Sequence, residues 1–484
     1  MVFSSSFFLT LILPVFIVLY LLADKKYRNY LLLVFSCFFY AWGAPQFIFV
    51  ILGTTLLDFF LVRTMDAAEG KKKRRLLLLL SVSVNLGLLF YFKYCGFFVE
   101  NFNDLVKVFG GETQINWPKL IFPIGISFYT FETITYVVDV YRRVHKPLTK
   151  FTDYLLYIIC FPKLIAGPII RYHEISDQIS NRDKNDTVDM KLSGFYIFCT
   201  GLAKKVLIAD TMGAISNAIY GHMETGEGAV YALDLTTSAA WIAAMAYTFQ
   251  IYFDFSGYSN MAIGLAKIFG FVFPENFNSP YIAESITDFW RRWHITLGNW
   301  MKNYLYIPLG GNRVSKKSRL YFNLCLVFVL SGFWHGASWN FILWGLWHGL
   351  FLVLERIFLL RLTARIGRMP RILFTFFIVV LGWVMFRVEN VNKAIQYIGA
   401  MFGVNNSKIG YPLSKQQIII GIAALIFSWF CIPGKLEKFQ DYFFNRELKL
   451  REHYWLAPVC VLLFMVSLAA LSGSGFNSFI YFRF

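Results

Sequence analysis

The stretch SGFWHGASWNFILWGLWHG, Ser331–Gly349, sets two histidines, His335 and His348, among tryptophans, glycines and leucines. It belongs either to a soluble core or to a membrane, and composition separates the two. Of 484 residues, 57% are hydrophobic and 15% charged, against roughly 25% charged side chains in a soluble globular domain. Apolar runs at Ser5–Ala23, Tyr30–Trp42, Gln46–Val62 and Leu76–Phe92 recur along the chain, several of them near the ~20 residues a helix needs to cross hydrocarbon. The sequence predicts an all-α, polytopic integral membrane protein with about ten to twelve transmembrane or re-entrant helices. Residues 1–484 read as a single integral domain, without a fixed-period repeat or a long linker.

The net charge of +17 does not point to nucleic acid. Basic clusters lie between apolar runs, at Lys25–Arg28, Lys71–Arg75, Arg142–Lys146, Arg291–Arg319 and Arg361–Arg371, as short cytoplasmic loops require. With the first two clusters inside, Met1 starts outside. The first run has no basic leader or small-residue cleavage site and is expected to stay as a helix. Leu76–Phe92 then goes out, a mixed-charge loop near Asn101–Trp117 follows, and Lys119–Val140 returns. Leu155–Ile170 contains Pro162, Gly167 and Pro168, so it is expected to be broken or re-entrant and enclosed by protein, because lipid leaves no partner for free backbone groups.

The seven cysteines are widely spaced without a CxxC pair, which suits packing rather than metal binding. His145, His173, His222 and His453 lie in polar stretches and are expected at the surface. His335 differs. Leu320–Trp334 and Phe341–Leu360 form a hairpin with basic residues at both feet, and the bend falls at Gly336-Ala337-Ser338, immediately after His335. An ionisable group at that depth faces a protein interior or a wet cavity and is a functional candidate; the alternative is a neutral imidazole bonding across helices. His348, on the returning arm, suits packing.

A second candidate precedes the hairpin, between Glu284 and Arg313. A helix over Asp288–Leu305 would align Trp290, Trp293, Leu297, Trp300 and Met301 on one stripe, as in an amphipathic helix at the membrane interface. His294 sits there beside Arg291 and Arg292. This is either a membrane anchor or a cationic, aromatic mouth for a phosphate-bearing donor.

The block DFWRRWHITLGNWMKNYLYIPLGGNR (Asp288–Arg313), followed by the opening stretch, resembles the signature region of the membrane-bound O-acyltransferase superfamily, within a region spanning 250–349. More narrowly it is similar to the bacterial alginate O-acetyltransferase branch. FPIGISFYTFETITYVVDVYR (Phe122–Arg142), FPKLIAGPIIRYHE (Phe161–Glu174) and QIYFDFSGYSNMAIGLAKIFGF (Gln250–Phe271) match that branch in order and spacing. Asn260 stands where many relatives carry Asp.

The resemblance implies helices around a central tunnel, in a multi-pass protein of the bacterial cytoplasmic membrane. It implies acetyl transfer from cytoplasmic acetyl-CoA, as a substrate rather than a bound cofactor, to a hydroxyl acceptor outside. His335 takes the catalytic position and His294 that of the second functional histidine. An imidazole suits removal of the hydroxyl proton, and Asp288, Asn340 or a backbone carbonyl would orient it. Pantetheine would enter at Arg291 and Arg292, with Trp290 and Trp293 lining the mouth. Gly332, Gly336 and Gly345 would let helices close around the tunnel, and Trp334 and Trp339 would narrow it toward acetyl. Expected partners are membrane lipid and a polysaccharide or an extracytoplasmic SGNH-like acetyltransferase, with no metal and no nucleic acid. Two other readings stand: a D-alanyl transferase fed by a phosphopantetheinyl carrier protein for teichoic acid, and a transporter or flippase with Asp58 and Asp254 as intramembrane carboxylates.

Overall fold

The computed structural model describes residues 3, 5–111, 114–118, 120–224, 235–404, 410–432, 434, 436, 448–474 and 479–480. Lys119, the His222 side chain and Phe484 lie outside the described residues. Among the described residues the regular elements are helices, and the chain divides into two compact units: Met1–Lys191 with Leu265–Pro274, and Leu192–Gly264 with Glu275–Phe484. Among the described residues, six helices are long and apolar enough to cross a membrane: Pro45–Ala67, Lys71–Val108, Val188–Gly221, Trp339–Thr363, Arg368–Arg387 and Leu450–Gly473. The protein is a multi-pass membrane protein. The hairpin's first arm, Lys317–His335, is not among the six. Its Asn323, Ser331 and His335 are buried, so these polar side chains face protein.

In the first unit, α1 (Phe8–Leu22), α2 (Arg28–Gly43), α3 (Ile48–Ala67) and α4 (Lys71–Val108) follow the apolar runs. The expected loop near Asn101 is helical as far as Val108. Charges at Glu100, Asp104 and Lys107 recur at helical spacing, with Lys107 paired to Asp104 at 3.7 Å, and no breaker intervenes before Gly110, which adopts a left-handed φ of 77°. Arg74 at the start of α4 is buried and donates to the carbonyls of Met65 (3.3 Å) and Tyr141 (3.0 Å). It thereby satisfies the free ends of α3 and of α5 (Ile126–Tyr141).

α6 (Phe151–Ile159) stops where the sequence breaks, and the non-helical backbone from Cys160 to Ile170 is almost wholly buried. Protein supplies its partners: the Tyr157 hydroxyl donates to the Ile170 carbonyl at 2.8 Å, and Lys163 pairs with Glu132 with both side chains withdrawn from solvent. α7 (Tyr172–Ser180) follows, and the Phe269 carbonyl accepts from Tyr20 (2.8 Å) and Arg182 (2.9 Å). His173 lies 2.8 Å from Asp139, and His145 lies 3.2 Å from Ser176 and 3.7 Å from Asp177. These two histidines are anchored rather than freely solvated.

In the second unit, α8 (Val188–Gly221) and α9 (Thr237–Ile268) contribute from Leu192 and up to Gly264. Short α10 (Ile286–Arg292) and α11 (Ile295–Trp300) precede the hairpin of α12 (Lys317–His335) and α13 (Trp339–Thr363). α14 (Arg368–Arg387), α15 (Val391–Met401), α16 (Lys415–Trp429) and α17 (Leu450–Ser474) complete it. The hairpin closes on glycine as expected: a Cβ on Gly332 would fall 2.1 Å from the Phe341 carbonyl, and one on Gly345 2.3 Å from that of Phe328. No side chain fits there, and the two backbones meet directly. Near the start of α17, His453 bonds the Tyr196 hydroxyl at 3.0 Å, so it too has a partner.

Candidate active site

The expected continuous helix over Asp288–Leu305 does not form. α10 ends at Arg292, Trp293 is extended, and His294 takes a left-handed conformation with φ 45° and ψ 53°, uncommon for a residue with a Cβ. A neighbouring loop holds the break open. Asn278 N–H donates to the Arg292 carbonyl at 2.9 Å, and Ile295 N–H donates to the Asn276 carbonyl at 3.0 Å. Both backbone groups would otherwise look for helical partners. Strain held in this way by surrounding structure is common at functional sites.

The break buries what an interfacial helix would have exposed. Trp293, Leu297, Trp300 and Met301 are all core residues, so the stripe faces protein rather than the membrane surface. The α10 start is secured by the buried carboxylate of Glu355 on α13, which accepts from the Ile286 N–H and from Thr287 N–H (3.0 Å) and hydroxyl (2.6 Å). Carboxylate at a helix N-terminus answers both its free N–H groups and its dipole.

His294 is 1% exposed. Its Nδ1 lies 3.0 Å from Asn276 Oδ1, and its Nε2 is buried with no hydrogen-bond partner among the described residues. Phe255 meets the ring edge-on at 4.7 Å. His335, which ends α12, is an electrostatic neighbour, and burial together with that neighbour pushes His294 well below the ordinary histidine pKa. Trp334 touches both rings, with centroids at 6.4 Å from His294 and 4.9 Å from His335. The two histidines singled out from sequence therefore come together at a single aromatic-walled point.

A cavity of about 400 Å³ reaches His294, lined by Trp290, Arg291, Lys302, Tyr306, Ser331 and Arg356 among others, a size typical of a small-molecule site. Cations rim it and apolar side chains lead inward. A much smaller void, about 10 Å³, lies beside His335 among Phe255, Trp293, Trp383, Phe386 and Ile480.

Other expected site residues divide. Trp290 lines the cavity, and its indole N–H donates to His348 Nδ1 at 3.3 Å. His348 is fully buried, Trp344 packs edge-on against both His348 (5.1 Å) and His335 (5.3 Å), and α14 covers it at Gly382. Arg291 lines the cavity, whereas Arg292 is held by Asp288 at 3.0 Å and the Asn278 carbonyl at 3.4 Å. Of the expected arginine pair only Arg291 lines the cavity, where Lys302 and Arg356 join it. Asp288 receives Arg292 and the Glu284 N–H (3.3 Å), and Asn340 donates to the α14 carbonyls of Met385 (3.3 Å) and Phe386 (3.4 Å). Both have structural partners of their own. Trp339 is 54% exposed and cannot narrow an internal passage, because the bend turns it outward; Trp334 is buried against the pair.

Asp58 and Asp254 are each locked locally. Asp58 accepts from Ser81 and from Asn85 at 2.8 Å, and Asp254 pairs with Lys205 at 2.8 Å while accepting the Ile480 N–H at 2.8 Å. Asn260, in the orientation that satisfies its amide, accepts from Lys204 at 3.0 Å and donates to the Ser256 carbonyl at 3.1 Å. Sequence reasoning missed Asn276, Lys302, Arg356 and the aromatic wall of Trp344, Trp383 and Phe386. Asn276 lies in PENFNSPY, Pro274–Tyr281, where the only signal is turn chemistry.

A polytopic helical protein that buries two neighbouring imidazoles, one of them lining a cation-rimmed cavity, has the architecture of a membrane group-transfer enzyme. Residues 34–392 match the membrane-bound O-acyltransferase (MBOAT) family, and the chain belongs to it: this is a membrane acyltransferase. The chain is 39% identical to the probable alginate O-acetylase AlgI of Pseudomonas putida over 100% of both sequences. It is 44% identical to the corresponding Pseudomonas aeruginosa protein over 83% of this chain and 75% of that one. It is also 36% identical to the peptidoglycan O-acetyltransferase of Helicobacter pylori, over 86% and 82% of the two chains.

Proposed function

We propose that the protein takes acetyl from cytoplasmic acetyl-CoA and passes it across the bacterial cytoplasmic membrane to a hydroxyl of an alginate-like exopolysaccharide, directly or through an extracytoplasmic SGNH-like partner, with Met1 outside. The observation that carries this reading is the cavity between the cations Arg291, Lys302 and Arg356 and the His294 ring, with Trp334 packed against both that ring and His335. Guanidinium and ammonium groups at the rim suit phosphates. The apolar walls beyond suit a pantetheine arm, so only the acyl group needs to reach the far side.

His335 acts as the general base. It takes the proton of the acceptor hydroxyl as that oxygen attacks the thioester carbonyl, the C–S bond breaks, and the proton passes on to the departing thiolate. A protein-enclosed route also keeps water from the thioester. The similarity to an alginate O-acetylase supports acetyl and a polysaccharide acceptor; the similarity to a peptidoglycan O-acetyltransferase keeps the acceptor within carbohydrate hydroxyls.

The test is free-thiol release from acetyl-CoA by purified protein in nanodiscs, with acceptor oligosaccharide present, for the native chain and His335→Ala. Histidine-dependent release is expected, with turnover down about 10²- to 10⁴-fold in the variant and unchanged elution in detergent. Equal release by both proteins would overturn the assignment of His335, and release only from an acylated carrier protein would overturn acetyl-CoA as donor.

A further inference from the structure

The hydrogen bonds around Asn276 fix more than the position of His294. Asn276 is 1% exposed, and four polar atoms surround its amide. On one side lie Thr296 N–H (3.3 Å), the Thr296 hydroxyl (2.9 Å) and His294 Nδ1 (3.0 Å); on the other, Ser259 Oγ lies 3.0 Å away. Hydroxyls and an imidazole nitrogen can serve as donor or acceptor, but a backbone N–H can only donate. The atom facing Thr296 N–H is therefore the amide oxygen, and the Asn276 NH₂ must face Ser259.

That orientation decides the imidazole. An amide oxygen only accepts, so His294 Nδ1 carries the ring hydrogen, and in the neutral ring Nε2 is left with its lone pair. This Nε2 is the atom that is buried without a partner, on a ring lining the cavity. A buried acceptor left open costs stability, and the cost is understandable where a neighbouring N–H is to be bonded.

We propose that Asn276 is a positioning residue for acyl transfer: it holds His294 in the Nδ1–H tautomer and makes Nε2 a hydrogen-bond acceptor for the neighbouring His335. This rests on the reading of His335 as general base. When His335 takes the hydroxyl proton, the imidazolium needs a lone pair beside it rather than a second N–H, and Nε2 supplies one. The proton then leaves from His335 to the thiolate, and His294 ends the cycle unchanged. Asn276 itself touches no reacting atom.

The tautomer is read directly by ¹⁵N NMR of histidine-labelled native protein in nanodiscs, with His294→Gln used to assign the ring. Protonated Nδ1 and bare Nε2 are expected at neutral pH; a protonated Nε2 would overturn the proposal whatever the activity. Turnover supplies the second arm. Asn276→Leu is expected to lower kcat about 100-fold, with the KM for acetyl-CoA within about threefold, because the donor mouth is untouched. Asn276→Asp keeps an oxygen acceptor and adds a negative charge that raises the His294 pKa. It is expected to recover much of kcat while moving the acid limb of the pH profile upward, a shift that packing alone would not produce. Native kcat in Asn276→Leu would overturn the proposal. Should that variant fail to fold, the native NMR spectrum and the Asn276→Asp profile decide. Loss of His335 dependence with the expected tautomer intact would sink the proposed general base and leave the tautomer assignment standing.

Discussion

Both units bury ion pairs, Lys163 with Glu132 in the first and Lys205 with Asp254 in the second, and the histidine site of the second unit departs from that pattern. In the first unit, Glu132 and Lys163 neutralise one another with 1% and 0% side-chain exposure, and Tyr157 closes the carbonyl left by the broken segment. In the second, His294 and His348 each keep one ring nitrogen without a hydrogen bond among the described residues, His294 adopts left-handed backbone, and a cavity opens on its ring. Charge pairing at depth holds irregular backbone in place. A neutral imidazole with an open acceptor next to space for a ligand, as at His294, is what proton transfer needs.

The contrast can be broken from the first unit. Glu132→Ala would leave Lys163 buried and uncompensated, and removing one member of such a pair costs about 3–5 kcal/mol. A lower melting temperature and a smaller monodisperse fraction in detergent are expected, with turnover per folded molecule retained. The double replacement Glu132→Leu with Lys163→Met is expected to recover most of the stability. If Glu132→Ala instead abolished turnover without loss of stability, the first unit would hold chemistry as well as structure, and the comparison would fail.

It can be sharpened within the site at two adjacent arginines. Arg291→Glu is expected to raise the KM for acetyl-CoA about tenfold with little change in melting temperature, since one charge-assisted phosphate contact contributes about 1.5–3 kcal/mol. Arg292→Glu is expected to act on stability, because Arg292 clamps Asp288 and the Asn278 carbonyl beside the helix break. Matching effects of the two reversals, measured by donor titration and thermal unfolding, would remove the distinction between mouth and clamp.

The smallest expected effect is electrostatic and lies in the first unit. Burial raises the Asp186 pKa, but hydrogen bonds and charge from Lys191 and Arg28 outweigh it and hold the carboxyl below its ordinary value. A depressed folded-state pKa contributes stability above the unfolded value of about 3.9, and that contribution is lost as pH falls through the folded value. Melting temperature is therefore expected to fall more between about pH 5 and pH 3 for the native protein than for Asp186→Asn. Parallel curves would mean that Asp186 makes no net contribution.

Much of this was legible in the chain. The apolar runs became α1 to α4, the Pro162–Pro168 interruption became buried non-helical backbone, and the Gly336–Ser338 bend separated α12 from α13. His335 and His294 stood out because imidazole is conspicuous among tryptophan and leucine. The helix expected over Asp288–Leu305 failed for an identifiable reason. Its residues have the right period, but the loop at Asn276–Asn278 competes for the backbone groups of Arg292 and Ile295, and periodicity contains no information about a competitor from elsewhere in the chain.

The sequence alone determined the solvent, the helical class and which histidines are the candidates for the chemistry, because hydrophobicity, helical period and residue type are local properties. Only the tertiary structure decided that Arg291 faces the cavity while Arg292 does not, that Trp334 rather than Trp339 meets the histidines, and which nitrogen of His294 is bare. Those outcomes depend on which groups arrive from distant segments to donate, accept or fill space, and a hydrogen bond has no direction until both of its partners are in place.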